Sequence, residues 1–174
     1  MENKTNTAAV ALIALCHEYC VAVEQSAEST PTDFCTNILR LLPRIYMTMF
    51  DFRPAEENYD HEGDLYDALE EERYYELKNS MAALLGEHDA YLDIVVAGEQ
   101  YSEEPVASSV SEKLADLYQI FYIFIDTLRE ALPEVREKVY DEFKSRFRMY
   151  WSEELCDAMR IINYLVQNEV FTEE

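Results

Sequence analysis

The chain has 174 residues, 49% of them apolar, and a chain of this length can bury a core without disulfides or metal ions. Its 36 acidic and 14 basic side chains give a formal net charge of −22, which argues against binding to nucleic acid or to anionic membranes. Only three glycines and five prolines occur, too few for a sheet-rich fold, so we expect a single helical domain over residues 1–174 with an ordered core at about 6–170.

The first predicted element is an amphipathic helix at about residues 6–27, because apolar residues recur there at spacings of three and four. The sequence CHEYC (residues 16–20) lies inside this pattern, so both of its cysteines are expected to face the core. A zinc site would need two more ligands, which Cys35 and Cys156 supply only if the fold brings all four thiols together. Reduced core cysteines in a cytoplasmic protein are the favoured interpretation.

The apolar run AAVALIALC (residues 8–16) is similar to the core of a signal peptide. Glu2 weakens the positively charged region that should precede such a core, and Leu15 stands where cleavage needs a small residue. The run is also too short to span a bilayer. We therefore expect a helix of the folded domain here and not an export signal.

A second helix is predicted from Thr30, which is a good N-cap residue. Pro31 suits the first helical turn, and Asp33 stands where a capping box places its acidic partner. Pro43 falls within the apolar pattern of this helix. Because proline removes one backbone donor, we expect it to kink the helix or to split it near Leu39.

The middle of the chain alternates between polar and apolar segments. Residues 51–64 have no period and are expected to form a loop, and a third helix is predicted at about 65–85, with Gly86 as its stop. Residues 87–96 are ambiguous between a short helix and an extended segment. A second loop is expected at 98–105.

A fourth helix is predicted to start at Ser109, which forms a capping box with Glu112, and to end before Pro133. It is apolar nearly all round and should be the buried centre. From 134 to 168 the pattern predicts one long helix, or two with a joint near Trp151–Ser152. The fold predicted is therefore all-α, an antiparallel bundle of five to six helices with a long C-terminal helix.

No motif of a known catalytic class is present in the sequence. A di-metal carboxylate bundle needs Glu-x-x-His motifs on two helices, and none of the three histidines stands in one. Phosphate-binding loops and nucleophile elbows are also absent. We therefore predict no catalytic residue, no metal site and no cofactor, and we favour a protein that is not an enzyme.

Two stretches carry candidate ligand-binding residues. In the first, Glu87, His88, Asp89 and Asp93 place an imidazole near three carboxylates, which suits a metal or an acid–base cluster. The alternative, which the sequence favours, is a helix entry with acids near its N-terminus and Tyr91 packed inward.

The second stretch is RLLPRIYM (residues 40–47), where Arg40 and Arg44 stand one helical turn apart and Tyr46 follows. Two guanidinium groups on one face can bind a carboxylate or a phosphate. Pairing with acids of this acidic chain is the more common role.

Acidic side chains concentrate in residues 51–104, which hold 17 acids and three bases, a local net charge of −14. A solvated surface is the simplest interpretation, and a basic partner is the functional one. Tyr74, Tyr75 and Tyr101 add apolar area of the kind that suits interfaces.

Four segments are similar to segments of an uncharacterised bacterial family of small helical proteins, a domain of unknown function. They are ILRLLPRIYM, LLGEHDAYLDIV, SEKLADLYQIF and the part of the last helix centred on Trp151, and the resemblance extends from about residue 8 to 168. It implies a cytoplasmic helical bundle. It implies no activity, ligand or catalytic residue.

The sequence leaves three functions open. The first is a non-enzymatic interaction module that binds an unknown protein partner or associates with itself. The second is a bundle that binds a small ligand or a metal, or acts as a hydrolase, through Arg40, Arg44, His88 and Asp89. The third, which rests on charge alone, is an acidic inhibitor that imitates nucleic acid.

Overall fold

Helices form most of the protein and pack around one apolar core, which confirms the predicted all-α bundle. A computed structural model describes residues 2–54, 69–93, 96–97, 100–101 and 105–171. The elements below are those of the described residues.

The helices have the following bounds: α1 Glu2–Glu24, α2 Pro31–Asp51, α3 Glu71–Leu85, α4 Val110–Glu130, α5 Pro133–Arg146 and α6 Ser152–Gln167. Short 3₁₀ turns follow α1 at Ser26–Glu28 and α3 at Gly86–His88. A π-helical turn, Phe147–Trp151, joins α5 to α6.

The buried face of α1 packs against α2 and α4. The two cysteines of CHEYC lie on that face, and Tyr19 between them donates a hydrogen bond of 2.9 Å to the backbone carbonyl of Leu114 on α4. Cys35 is also buried, whereas Cys156 is exposed on α6. The four thiols therefore do not form a zinc site, and the core interpretation of Cys16 and Cys20 is confirmed.

Helix α1 also has the length and composition of a membrane-spanning helix over Thr7–Glu24, where the mean hydropathy is 1.5. The run at 8–16 is thus part of a longer apolar segment than its own nine residues suggest. By itself this is weak evidence, because a core helix passes the same test, and the buried residues of α1 belong to the core of the bundle.

Helix α2 starts as predicted, because the Thr30 hydroxyl oxygen accepts a hydrogen bond of 3.1 Å from the backbone N–H of Asp33. It then continues through Pro43 to Asp51 without a break, so of the two expected effects of Pro43, a kink or a split near Leu39, the split was wrong. Pro43 lies on the exposed face of the helix, where water can bond the carbonyl that proline leaves free. Burial of the opposite face holds the helix together.

The segment after α3, for which the sequence left both a short helix and an extended segment open, forms a β-ribbon. Strand β1 (Ala90–Asp93) pairs antiparallel with β4 (Val106–Ser109), and β2 (Val96–Ala97) pairs with β3 (Gln100–Tyr101). The extended alternative is therefore correct for β1. The prediction of a loop at 98–105 is wrong at Gln100–Tyr101, which form β3.

Helix α3 begins at Glu71, later than the predicted residue 65, and Leu69 and Glu70 precede it in non-helical conformation. The expected loop at 51–64 lies outside the described residues from 55 onward. At the other end, Gly86 adopts φ +57°, which glycine tolerates without strain, so the predicted stop is confirmed.

Helix α4 is the centre of the bundle and contacts α1, α3, α5 and α6. Its N-terminus is capped by Ser109, whose hydroxyl oxygen accepts a hydrogen bond of 3.1 Å from the N–H of Glu112. The predicted break at Pro133 is confirmed, and α5, the π-helical turn and α6 then run without interruption to Gln167. The joint expected near Trp151–Ser152 is thus the end of the π-helical turn.

Candidate functional site

A groove between α1 and α2 holds the two predicted arginines. Arg40 and Arg44 lie on the exposed face of α2, and His17 and Glu18 face them from α1. The groove has a volume of about 550 Å³. We call this site the arginine groove.

The charges in the arginine groove are only partly compensated. Arg44 lies 3.6 Å from the Glu18 carboxylate, but the two side chains are 61% and 57% exposed, so the pair contributes little to stability. Arg40 has no hydrogen-bond or ion-pair partner among the described residues. Pairing, the commoner role for such arginines, therefore applies to Arg44 alone.

Tyr46 lies on a different side of α2 from these arginines. Its ring stacks on Phe50 at a centroid distance of 6.4 Å and meets Phe147 of the π-helical turn edge to face at 5.4 Å. The side chain is half-buried against the core. The structure thus gives Tyr46 a packing role between α2 and the C-terminal helices.

His88 lies in the 3₁₀ turn after α3. Its ring meets Phe171 edge to face at 5.2 Å, and its Nε2 is 3.9 Å from the carboxylate of Glu87. His88 does not line the arginine groove, where Arg40 and Arg44 lie.

Asp89 caps helix α4. Its carboxylate accepts one hydrogen bond of 2.7 Å from the backbone N–H of Ser111 and another of 2.9 Å from the Ser111 hydroxyl. The Asp89 carbonyl also accepts a hydrogen bond of 2.9 Å from the N–H of Val110. These bonds satisfy donors that the start of a helix leaves free. The capping role therefore accounts for the Asp89 carboxylate, and no bound ligand is needed to explain it.

Asp93 joins the β-ribbon to the last helix. It forms an ion pair of 2.8 Å with Arg160 of α6, and its own side chain is only 15% exposed. The helix entry expected within this stretch is therefore wrong, because Ala90–Asp93 is a strand and Asp89 caps the distant helix α4. Asp93 serves a tertiary contact that local sequence could not predict.

The structure therefore places the two predicted clusters in separate surroundings. Arg40 and Arg44 line the arginine groove, whereas His88, Asp89 and Asp93 contact α4, α6 and the C-terminal segment. Within the described part of the chain, no group of three or more His, Cys, Asp and Glu side chains is arranged to hold a metal ion.

A second groove, which we did not predict from the sequence, lies where the start of α3 meets α4 and α5. It has a volume of about 640 Å³. Its apolar lining comes from three parts of the chain: Leu69, Ile123, Ala131, Val135 and Val139. We call this site the acidic groove.

Three carboxylates lie on the rim of the acidic groove, from Glu70, Asp126 and Glu130, against one cation, Arg73. Arg73 pairs at 2.9 Å with Glu76 and at 3.5 Å with Glu24, and Asp126 pairs with Arg129. Glu70 and Glu130 have no cationic partner among the residues described. The rim thus keeps uncompensated negative charge.

An aromatic side chain completes the acidic groove. Tyr122 is 37% exposed, and its ring stacks on Tyr118 at 5.6 Å. The Tyr118 hydroxyl donates a hydrogen bond of 2.7 Å to Glu24, and burial together with this bond raises the pKa of Tyr118 above its ordinary value. A sequence signal for the site existed, because Ile123, Asp126, Thr127 and Glu130 share one helix face, but its apolar floor depends on tertiary contacts.

Comparison with solved structures supports the fold. The chain is similar to protein BF1032 from Bacteroides fragilis, known from a crystal structure, with a TM-score of 0.73 and 23% identity over 89% of each chain. At this identity the likeness concerns the fold alone. No curated protein matches the sequence.

The sequence profile of a domain of unknown function, DUF5063, matches residues 3–168, which is nearly the whole chain. This agrees with the resemblance found in the four sequence segments. The protein belongs to this family of domains of unknown function, DUF5063.

Proposed function

We propose that the protein is a non-enzymatic interaction module that binds a basic, amphipathic segment of a partner protein in the acidic groove. The observation that carries this proposal is an apolar floor bordered by uncompensated carboxylates in one concave site. Each of these two properties selects a different part of the partner.

The floor selects apolar side chains. Val135 of α5 and Ile123 of α4 are partly exposed and offer aliphatic surface, and burying apolar area is the main favourable term in association. A helix that lays its apolar face in such a groove is a recurrent mode of peptide recognition.

The rim selects positive charge. Glu70, which directly precedes α3, and Glu130 of α4 both line the groove, and lysine or arginine residues flanking an apolar stripe would pair with them. Tyr122 adds a ring face that attracts cations. A basic partner also gains from the formal charge of −22, which steers it toward the surface and speeds association.

The same charge opposes the other partners considered. Two copies of the chain repel each other, so self-association is the weaker form of the interaction hypothesis. Nucleic acid and anionic membranes are repelled in the same way, and we expect neither as a partner.

We propose that this module works in the reducing cytoplasm of a bacterium. Cys16, Cys20 and Cys35 are free thiols in the core, and burial raises the pKa of each of them, to about 12 for Cys35. Buried, protonated thiols react slowly and suit a compartment that keeps cysteines reduced.

The test uses two designed helical peptides, one of leucine and lysine and one of leucine and glutamate, titrated calorimetrically into the protein. We expect the basic peptide to bind and the acidic peptide not to bind. The double variant Glu70→Lys/Glu130→Lys should weaken binding about tenfold or more. Glu28→Lys/Glu153→Lys, which changes the net charge equally at exposed positions outside the groove, should leave most of the affinity.

A third variant separates groove binding from general electrostatic attraction. Val135→Asp makes the protein more acidic but places a polar group on the apolar floor. Binding in the acidic groove predicts a weaker complex with the basic peptide, whereas attraction to the overall charge predicts an equal or stronger one. The proposal fails if Val135→Asp binds as well as the wild type, or if both double variants lose affinity equally.

A further inference from the structure

We propose that the arginine groove is a binding site for a small oxyanion, a carboxylate or a phosphomonoester, carried on an apolar body. This inference is independent of the acidic groove, which lies among α3, α4 and α5. It rests on the placement of two arginines, on the weakness of their present pairing, and on the floor beneath them.

The two arginines are spaced for one shared anion. Residues four apart on a helix have Cβ atoms about 5–6 Å from each other, so Arg40 and Arg44 project side by side from α2. Each guanidinium presents several N–H donors in a planar fork that matches the oxygens of a carboxylate or a phosphate. His17 and Asn37 line the same groove and can donate further hydrogen bonds.

Freeing these donors costs little. Arg40 has no partner among the residues described, and the pair between Arg44 and Glu18 spans 3.6 Å with both side chains more than half exposed. An exposed pair of this kind holds its geometry weakly. Arg44 can therefore turn from Glu18 to a ligand that offers two or more oxygen acceptors at once.

The floor of the groove indicates that the ligand has an apolar part in addition to its oxyanion. Val21 of α1 is partly exposed in the groove, and the buried side chains of Ala22 and Leu41 lie against it as part of the lining. An oxyanion without an apolar body would leave this surface wet, so the structure favours a ligand with a charged end and an apolar end. The floor also distinguishes the site from a pair of solvated surface arginines.

The surrounding charge limits the size of the ligand. The lining of the groove contains two arginines and one glutamate, so it is locally positive on a chain with a formal net charge of −22. A long polyanion such as nucleic acid would extend into the negative field and be repelled. A small ligand keeps its charge within the groove.

The test compares phenyl phosphate and benzoate, which carry the two oxyanions on the same apolar ring, with inorganic phosphate, which lacks the ring. Calorimetric titration should give a dissociation constant of about 1 mM or tighter for at least one ring compound, and weaker binding of inorganic phosphate. The difference between phenyl phosphate and benzoate tells which oxyanion the site prefers.

The variants Arg40→Gln and Arg44→Gln should each weaken this binding about tenfold, and the double variant should abolish it. Arg136→Gln, an exposed arginine of α5 outside the groove, serves as the matched control and should bind normally. All four proteins should keep the melting temperature of the wild type within a few degrees, because the substituted side chains are exposed.

Two results would overturn the proposal: no heat of binding with any of the three compounds, or binding that survives the double variant unchanged. Because Arg40 and Arg44 both lie outside the acidic groove, failure here leaves the peptide-binding function untouched. Peptide binding by the double arginine variant, measured in the same protein batch, shows that the two sites fail or succeed separately.

Discussion

Lys144 brings a positive charge into the interior of the bundle. Its side chain, on α5, is buried, and its ammonium group donates hydrogen bonds to the carbonyls of Met49 and Phe50 at the end of α2. The ammonium also lies 5.3 Å from the centre of the Phe147 ring. A cation at a helix C-terminus is favourable because it bonds carbonyls that have no partner within the helix.

We expect Lys144→Ala to lower the free energy of unfolding by about 2–3 kcal/mol, since it takes the donor from the buried carbonyl of Met49 and removes the packed side-chain stem. Urea denaturation measures this loss. Lys138→Ala, an exposed lysine of the same helix, should change stability by less than about 0.5 kcal/mol. Equal stabilities of the two variants would contradict the role assigned to Lys144.

Asp89 offers a direct choice between a ligand site and a helix cap. We expect Asp89→Ala to cost about 1–2 kcal/mol of stability, because the N–H and hydroxyl of Ser111 lose their acceptor. Asp89→Asn, which keeps an oxygen acceptor, should cost less. Thermal melts of the three proteins check this order.

A different outcome would restore the ligand hypothesis for this residue. If Asp89→Ala melts like the wild type but loses binding of a metal ion or a small molecule, the carboxylate acts on a ligand and the capping role is secondary. The hydrogen bonds of Asp89 favour the cap, because both carboxylate oxygens already accept one.

At the scale of elements, the π-helical turn corrects the phase of the C-terminal helix. Five buried side chains follow each other at intervals of four: Val139, Phe143, Phe147, Trp151 and Leu155. In an α-helix four residues turn by 400°, so these four steps would carry the last side chain about 160° away from the first. A π-helical turn holds an extra residue and returns the stripe toward the core.

If the π-helical turn holds one extra residue, then one residue can be removed from it without unfolding the protein. We expect deletion of Met149, which is exposed, to convert the turn to α-helix and to cost no more than about 1–2 kcal/mol, because both flanking helices keep their buried faces. Circular dichroism and urea denaturation measure helix content and stability.

Deletion of Tyr122 in α4 is the matched control. This residue is also partly exposed, but α4 has no π-helical turn to absorb the change, so every later side chain of the helix rotates by about 100° and the buried face is lost. We expect this variant to be unfolded or destabilised by about 4 kcal/mol or more. Similar stability of the two deletions would rule out the phase correction.

The elements differ in how well local sequence could predict them. The caps of α2 and α4 depend on residues three apart, so Thr30 and Ser109 located both starts. Strands β1 and β4 contain four residues each, too few for a period to be recognised, and their pairing joins segments that are far apart in sequence. The beginning of α3 was placed too early because apolar residues precede Glu71.

The candidate sites show the same limit. Two arginines one helical turn apart on α2 predicted one wall of the arginine groove. The other wall contains His17 and Glu18, whose position depends on how α1 packs against α2. Asp93 looked like a partner of His88 because it is near in sequence, whereas its ion-pair partner, Arg160, is 67 residues away. Spacing along one helix predicts a face, and packing decides what that face meets.

At the scale of the whole molecule, the buried thiols should lower the stability of the fold as the pH rises above 9. Cys16, Cys20 and Cys35 have an ordinary pKa of 9.0, and burial raises the pKa of each thiol in the folded state, to about 12 for Cys35. Above pH 9 the unfolded chain therefore loses thiol protons that the folded chain keeps. Stability falls with rising pH wherever the folded state binds more protons.

The slope follows from the number of thiols. Each group that is ionised only in the unfolded state lowers the free energy of unfolding by about 1.4 kcal/mol per pH unit, so three thiols together contribute about 4 kcal/mol per unit well above pH 9. The effect is absent at neutral pH, where the thiols are protonated in both states. It ends for Cys35 as the pH passes about 12.

The variant Cys35→Ala isolates one of these contributions. Its stability at pH 7 should be lower than that of the wild type because it leaves a small cavity, but its decline above pH 9 should be shallower by about 1.4 kcal/mol per unit. Urea denaturation at a series of pH values under reducing conditions gives both quantities. A decline equally steep in the two proteins would show that Cys35 ionises in the folded state, and that its thiol is reached by water despite its place in the core.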